Sequence, residues 1–168
     1  MEQISKNWSQ IRLRVNVKAS IEKVYRAVAT QEGLESWFLR SAEFTSAGGD
    51  PRKRKELLSK ADRYAWKWYG FPDDTHLEGS VLEANGKDKF VFSFSMNCPV
   101  TVTIYSEQEE TIVELVEQNI PPEEGPIFKH YLSNTTGWTF YLVNLKSVLE
   151  GGLDLRNQNP DLKNVITA

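Results

Sequence analysis

The sequence predicts an α+β fold in which a curved antiparallel sheet of about six to seven strands wraps one long C-terminal helix, with two short helices after the first strand. Three observations predict it. Short runs of alternating apolar and polar residues follow one another between residues 11 and 118, broken by turn signals, as half-buried strands are. Two brief stretches with helical spacing interrupt them early. Residues 136–152 then place Trp138, Tyr141, Leu142, Leu145, Val148 and Leu149 three and four apart, one wide face of a helix. A sheet with one apolar face needs cover, and this helix supplies it.

The elements follow in order. Ile11, Leu13, Val15 and Val17 alternate with Arg12, Arg14, Asn16 and Lys18, a half-buried strand. Ser20 caps a short helix carrying Ile21, Val24, Tyr25 and Val28, and Thr30 caps a second carrying Leu34, Trp37 and Phe38. Gly33 weakens that second helix and keeps it short. A strand is expected near residues 42–46, ended by Gly48-Gly49-Asp50-Pro51. The basic run at residues 52–60 reads as a solvated turn with Leu57 and Leu58 tucked inward.

Tyr64, Trp66 and Trp68 share one face of the next strand. Residues 76–83 form another, and the Asn85-Gly86 signal turns it into residues 89–96, with Phe90, Phe92, Phe94 and Met96 on one face. Pro99 opens a strand with Val100, Val102 and Ile104 inward. Residues 111–118 make the last, with Val113 and Leu115 on one face. Pro-rich residues 121–126 form a loop before the final helix, for which Asn134, Thr135 and Thr136 are candidate N-caps and Gly151 the terminator. Phe140 and Val143 broaden its apolar arc. Residues 1–152 are therefore one domain, and residues 153–168 a loosely docked tail. A meander gripping a helix in this way is often called a helix grip.

The totals narrow the function. A net charge of −3 argues against nucleic acid as a partner. No apolar run reaches the roughly 20 residues that span a bilayer, so membrane insertion is not expected. Cys98 stands alone, so no internal disulfide forms. With no signal-peptide core at the N-terminus, the expected location is cytoplasmic. No phosphate-cradling glycine loop and no Gly-x-Ser-x-Gly element is present, and His76 and His130 lie far apart with no metal-ligand spacing. The expectation is no metal, no cofactor and no catalytic residue, and the sequence leaves oligomeric state open.

A sheet gripping a helix tends to leave a cavity, and concave apolar sites bind small ligands. Strand parity nominates Trp66, Trp68, Phe92 and Phe94 as its lining, with Trp138, Tyr141 and Leu145 from the helix. Glu117 and Glu78 are the polar groups expected to converge on it, ahead of Tyr105 and Asn144. A carboxylate in such a place is a candidate general acid or base.

The chain also resembles a known family. Residues 21–28 followed by Glu35-Ser-Trp-Phe38, Glu78-Gly-Ser-Val-Leu-Glu83 before Lys89-Phe-Val-Phe-Ser-Phe94, and Gly137-Trp138 opening a helix that ends Leu149-Glu-Gly-Gly152 carry the likeness. On these it resembles the activator-of-heat-shock-protein-90-ATPase-like group of the START/SRPBCC superfamily. The resemblance implies a helix-grip fold and a chaperone or other protein as partner in a stress response. Elsewhere in the superfamily it implies lipid or other small-molecule binding, or cyclase- or hydrolase-like enzymes. This sequence departs from the group's pattern in the charged residues 51–63, where a compact glycine-rich hairpin is usual. It departs again at Glu117, where many relatives carry histidine. The expected function is binding of an apolar or amphipathic small molecule. The alternatives are a co-chaperone-like regulator or an enzyme using Glu117 or Glu78.

Overall fold

A computed structural model describes residues 7–121, 128–162 and 165–166. Strand β1 (Ile11–Val17) is followed by helices α1 (Ile21–Val28) and α2 (Gln31–Trp37). Then come β2 (Ser41–Thr45), β3 (Arg63–Lys67), β4 (Leu77–Ala84), β5 (Lys89–Ser93), β6 (Pro99–Glu107), β7 (Glu110–Glu117) and the long helix α3 (Phe128–Leu149). The seven strands form one antiparallel sheet in the order β1-β7-β6-β5-β4-β3-β2. A register shift between Val81 and Glu83 bends β4, the kind of irregularity that lets a sheet curl round a helix.

The short helices are set by their caps. Ser20 accepts from the Lys23 N–H and Thr30 from the Gly33 N–H. Gly33 is more than a weak helix former. A Cβ there would lie 2.2 Å from the Arg26 carbonyl oxygen, so glycine is what lets α2 fold back onto α1. The Trp37 indole donates to the Ala27 carbonyl across the same contact at 2.9 Å.

Helix α3 starts earlier than its cap signals predict. Asn134, Thr135 and Thr136 lie within it, and the hydroxyls of Thr135 and Thr139 donate back to the carbonyls of Tyr131 and Thr135. The expected loop at residues 121–126 falls almost wholly outside the described residues. The helix ends as predicted: Gly151 takes a positive φ of 84°, and the Gly152 and Gly151 N–H groups donate back to Ser147 and Val148. Leu145 is fully buried, whereas Val143 faces outward and does not belong to the buried arc.

Two further expectations are corrected. Strand β5 ends at Ser93, and Met96 sits exposed in a tight 3-10 turn at Ser95–Asn97 with a φ of 57°, off the strand face. The basic run is not a freely solvated loop. Arg52 donates to the fully buried Asp62 at 2.8 Å, Arg54 pairs with Glu35 at 2.6 Å, and the Leu58 N–H reaches the Ala29 carbonyl. The segment after α3 is tied down at its start. Asn144 holds Asp154 and the Leu155 N–H, and Arg156 donates to the carbonyls of Leu39 and Glu35.

Candidate functional site

Phe38, at the end of α2, is the hub from which the site is built. Its ring packs on Trp66, Trp68, Trp138 and Tyr141, with centroids 4.8–5.7 Å away, and so joins sheet to helix. Beyond it lies a pocket of about 380 Å³, within the range of small-molecule sites. Phe38, Trp68, Phe94, Trp138 and Tyr141 form its apolar wall, and Phe71 and Leu77 extend that wall toward solvent. Thr75, His76, Ser95, Ser133 and Asn134 supply the polar atoms. Gly137 presents open space to it: apart from its chain neighbours and its own helix backbone, no heavy atom of the described residues lies within 4 Å of where its Cβ would be. Burial pushes the Tyr141 hydroxyl far up from its ordinary value.

Of the nine residues nominated from sequence, Trp68, Phe94, Trp138 and Tyr141 line this pocket. Trp66, Phe92 and Leu145 lie behind it in the packed core. Trp66 stacks on Tyr64 at 3.8 Å and meets Phe92 edge-on at 5.1 Å, leaving no face for a ligand. Glu78 is a correction. Leu77 and Gly79 are paired with the inward residues Trp66 and Tyr64, so the alternation of β4 sends Glu78 outward. Its side chain is 77% exposed beside His76. Tyr105 likewise faces out, beneath Arg14, and Asn144 is spent on the Trp37 carbonyl and the tail.

Glu117 is fully buried directly beneath the pocket wall. It follows Val113 and Leu115 on the inner face of β7 and is paired with Ile11 on β1 and Val100 on β6. The Trp138 indole donates to one carboxylate oxygen at 2.8 Å, and the Asn134 amide reaches both at 2.9 and 3.1 Å. The His130 Nε2 lies 3.1 Å from the other oxygen. Cys98, in the turn before β6, donates its thiol to the Asn119 carbonyl at 3.5 Å. Burial, and then the nearby Glu117 charge, raise that thiol above its ordinary pKa.

The fold brings together one set of possible ligand atoms that spacing along the sequence does not show. Cys98, Glu117 and His130 are distant in sequence, yet each offers a ligand atom within 4.8 Å of the other two. With the helix expected to open at residues 134–136, His130 and Asn134 fall outside its predicted inner face. The signal was present: His130, Asn134 and Trp138 recur at intervals of four, which puts them on one helical face.

The comparisons agree with this architecture. The chain matches the family described as activator of Hsp90 ATPase homolog 1-like protein over residues 18–150. No curated protein matches it. Among solved structures it is similar to a protein from Staphylococcus saprophyticus, with a TM-score of 0.67 at 18% identity over 88% of this chain and 96% of that one. It is similar to the Aha1 dimer from Colwellia psychrerythraea, with a TM-score of 0.64 at 17% identity over 85% and 97% of the two chains. A third is DynU16, a putative protein in the dynemicin biosynthetic locus, with a TM-score of 0.63 at 21% identity over 89% of this chain and 50% of that one. At these identities the structures speak for the fold alone. With the family match spanning most of its length, the chain belongs to the activator of Hsp90 ATPase homolog 1-like family.

Proposed function

We propose that the chain is a small-molecule-binding module whose pocket, between the sheet and α3, takes an apolar or amphipathic ligand. The observation that carries this reading is the pocket itself: an aromatic wall of Phe38, Trp68, Phe94 and Trp138 beside a few polar groups, Thr75, His76, Ser95, Ser133 and Asn134. Trp68 and Trp138 make it optically addressable. A panel of fatty acids, aromatics and steroids should include a member that quenches or shifts their fluorescence saturably. Gly137→Phe fills the pocket from a helix position that has room for it, and should abolish that signal while the circular dichroism stays native. No saturable change with any member of the panel would count against the reading.

A protein partner is the second reading. The exposed Phe71 lines the pocket, so a large apolar ring stands at its edge. A co-chaperone-like role, as the family description implies, would use that surface. Acid–base chemistry at Glu117 has less support, because its oxygens are already engaged by Trp138, Asn134 and His130.

A further inference from the structure

Beneath the pocket, Cys98, Glu117 and His130 come from three separately anchored pieces of backbone. Cys98 is held in its turn by bonds through its N–H to Ser95 and its carbonyl to Phe94. Glu117 is fixed in the ladder between β1 and β6. His130 projects from the first turn of α3. A sulfur, an oxygen and a nitrogen ligand thus converge without any of them needing the others to stay in place. The geometry points to a transition-metal site at these three residues, one that takes Zn2+.

Three observations carry it. The first is size. Ligand atoms within 4.8 Å of one another share a centre that each reaches by closing in by less than about 1 Å, given zinc–ligand distances of roughly 2.0–2.3 Å. The second is the hydrogen bonding of His130. Its Nε2 lies 3.1 Å from a Glu117 oxygen, which only accepts, and 3.0 Å from the Asn134 amide nitrogen, which only donates. One ring nitrogen can satisfy one of these and not both. The amide nitrogen is also 2.9 Å from that same oxygen, so an electropositive group already sits where the nitrogen and oxygen acceptors meet. A cation at that point lets Nε2 and the carboxylate both present lone pairs to it.

The third observation is the support around the ligands. Trp138 fixes the second Glu117 oxygen, as outer partners of metal-bound carboxylates do, and leaves the first turned to His130. Mixed sulfur, nitrogen and oxygen ligation suits the borderline character of Zn2+. Asn134 lines the pocket, so its amide has room to swing aside as the ion enters. Three protein ligands leave a fourth coordination position, for water or the Asn134 carbonyl oxygen. As the zinc–sulfur bond forms, the Cys98 S–H bond breaks and its proton leaves to buffer.

The test uses the whole chain, stripped with chelator and kept reduced. Zn2+ titrated calorimetrically in two buffers of different ionisation enthalpy should bind once per chain and release a proton. Co2+ in place of Zn2+ should give a thiolate-to-metal charge-transfer band and the intense visible bands of four-coordination. Cys98→Ala and His130→Gln should each lower affinity by at least about 100-fold, since losing even an outer partner of a metal ligand costs up to that. Uptake that is absent, unsaturable or unchanged in both variants overturns the site. Should a variant fail to fold, the Co2+ spectrum of the unaltered chain decides: a thiolate band supports the site, and its absence ends it. Ligand binding in the pocket is measured separately, by Trp68 fluorescence, so failure of one reading leaves the other standing.

Discussion

A carboxylate taken out of water is costly unless donors meet its oxygens, and Glu117 is met by Trp138, Asn134 and His130. The indole of Trp138 therefore does two jobs: its face lines the pocket and its N–H holds the buried charge. Trp138→Phe keeps most of the face and loses the donor, so it should destabilise by about 1.5–3 kcal/mol, the range for a hydrogen bond to a charged group. Trp66 is the control, because its indole N–H is buried with no partner among the described residues, so Trp66→Phe removes no hydrogen bond seen there. Urea unfolding of the two variants checks this, and equal losses would mean that packing alone accounts for Trp138. One position away, Gly137→Ala should stabilise by roughly 0.5–1 kcal/mol, since a helix-interior glycine there meets no neighbour that alanine would strike.

At the scale of elements, the charged segment between β2 and β3 is held by its ion pairs. Arg52 bridges the exposed Glu56 and the buried Asp62, whose other oxygen accepts from the Ser59 N–H. The hydrogen bond to Asp62 raises the Arg52 pKa, and the one to Arg52 lowers that of Glu56. Arg52→Ala leaves Asp62 buried and short of its cation, and should cost about 3 kcal/mol, the low end for breaking a buried pair. Lys53→Glu, one residue away on the exposed side, should stay within about 0.5 kcal/mol. Thermal melts of the pair test the contrast, and similar effects from both would show that net charge matters here and pairing does not. Composition alone did not separate the two, because a run of basic residues reads the same whether its anions are near in space or absent. The start of α3 was hidden for a related reason: Asn134 and Thr135 have the chemistry of caps, and only the fold shows them bonding along the helix and to Glu117.

For the molecule as a whole, the segment beyond α3 acts as a strap across the helix layer. Asp154 accepts from Asn144 and Arg156, while Arg156 ties down α2 and the residues just after it through the carbonyls of Glu35 and Leu39. Burial works to raise the Asp154 carboxyl, but hydrogen bonds from Arg156 and Asn144 outweigh it and hold it below its ordinary value of 3.8. A depressed folded value means that this contribution is complete above pH 3.8 and is lost as pH falls through the folded pKa below it. Acid unfolding of Asp154→Asn should therefore lack that part of the pH dependence, and at neutral pH the variant should already be less stable. Removing residues 154–168 should likewise destabilise the fold, where a loosely docked tail would leave it unchanged. Leu145→Ala, at the centre of the α3 face, should cost about 2–5 kcal/mol. A loss below about 1 kcal/mol would contradict its burial.

What the sequence determined by itself was whatever depends on neighbours along the chain. The alternation of Val100, Val102 and Ile104, the caps Ser20 and Thr30, and the αL glycine at Gly151 each act through the backbone within a few residues, and each stands where it was read. Parity alone also sufficed to place Glu117 inward, and read from Leu77 and Val81 it would have turned Glu78 out. The site needed more. Phe38 gathers rings from α2, β3 and α3, and Cys98, Glu117 and His130 meet only because β6 lies beside β7 and side chains of α3 reach Glu117 at the end of β7. Such contacts join residues far apart in sequence, and no local spacing records them. Chain closure and the direction of one helix across a curved sheet decide which side chains share a few ångströms of space.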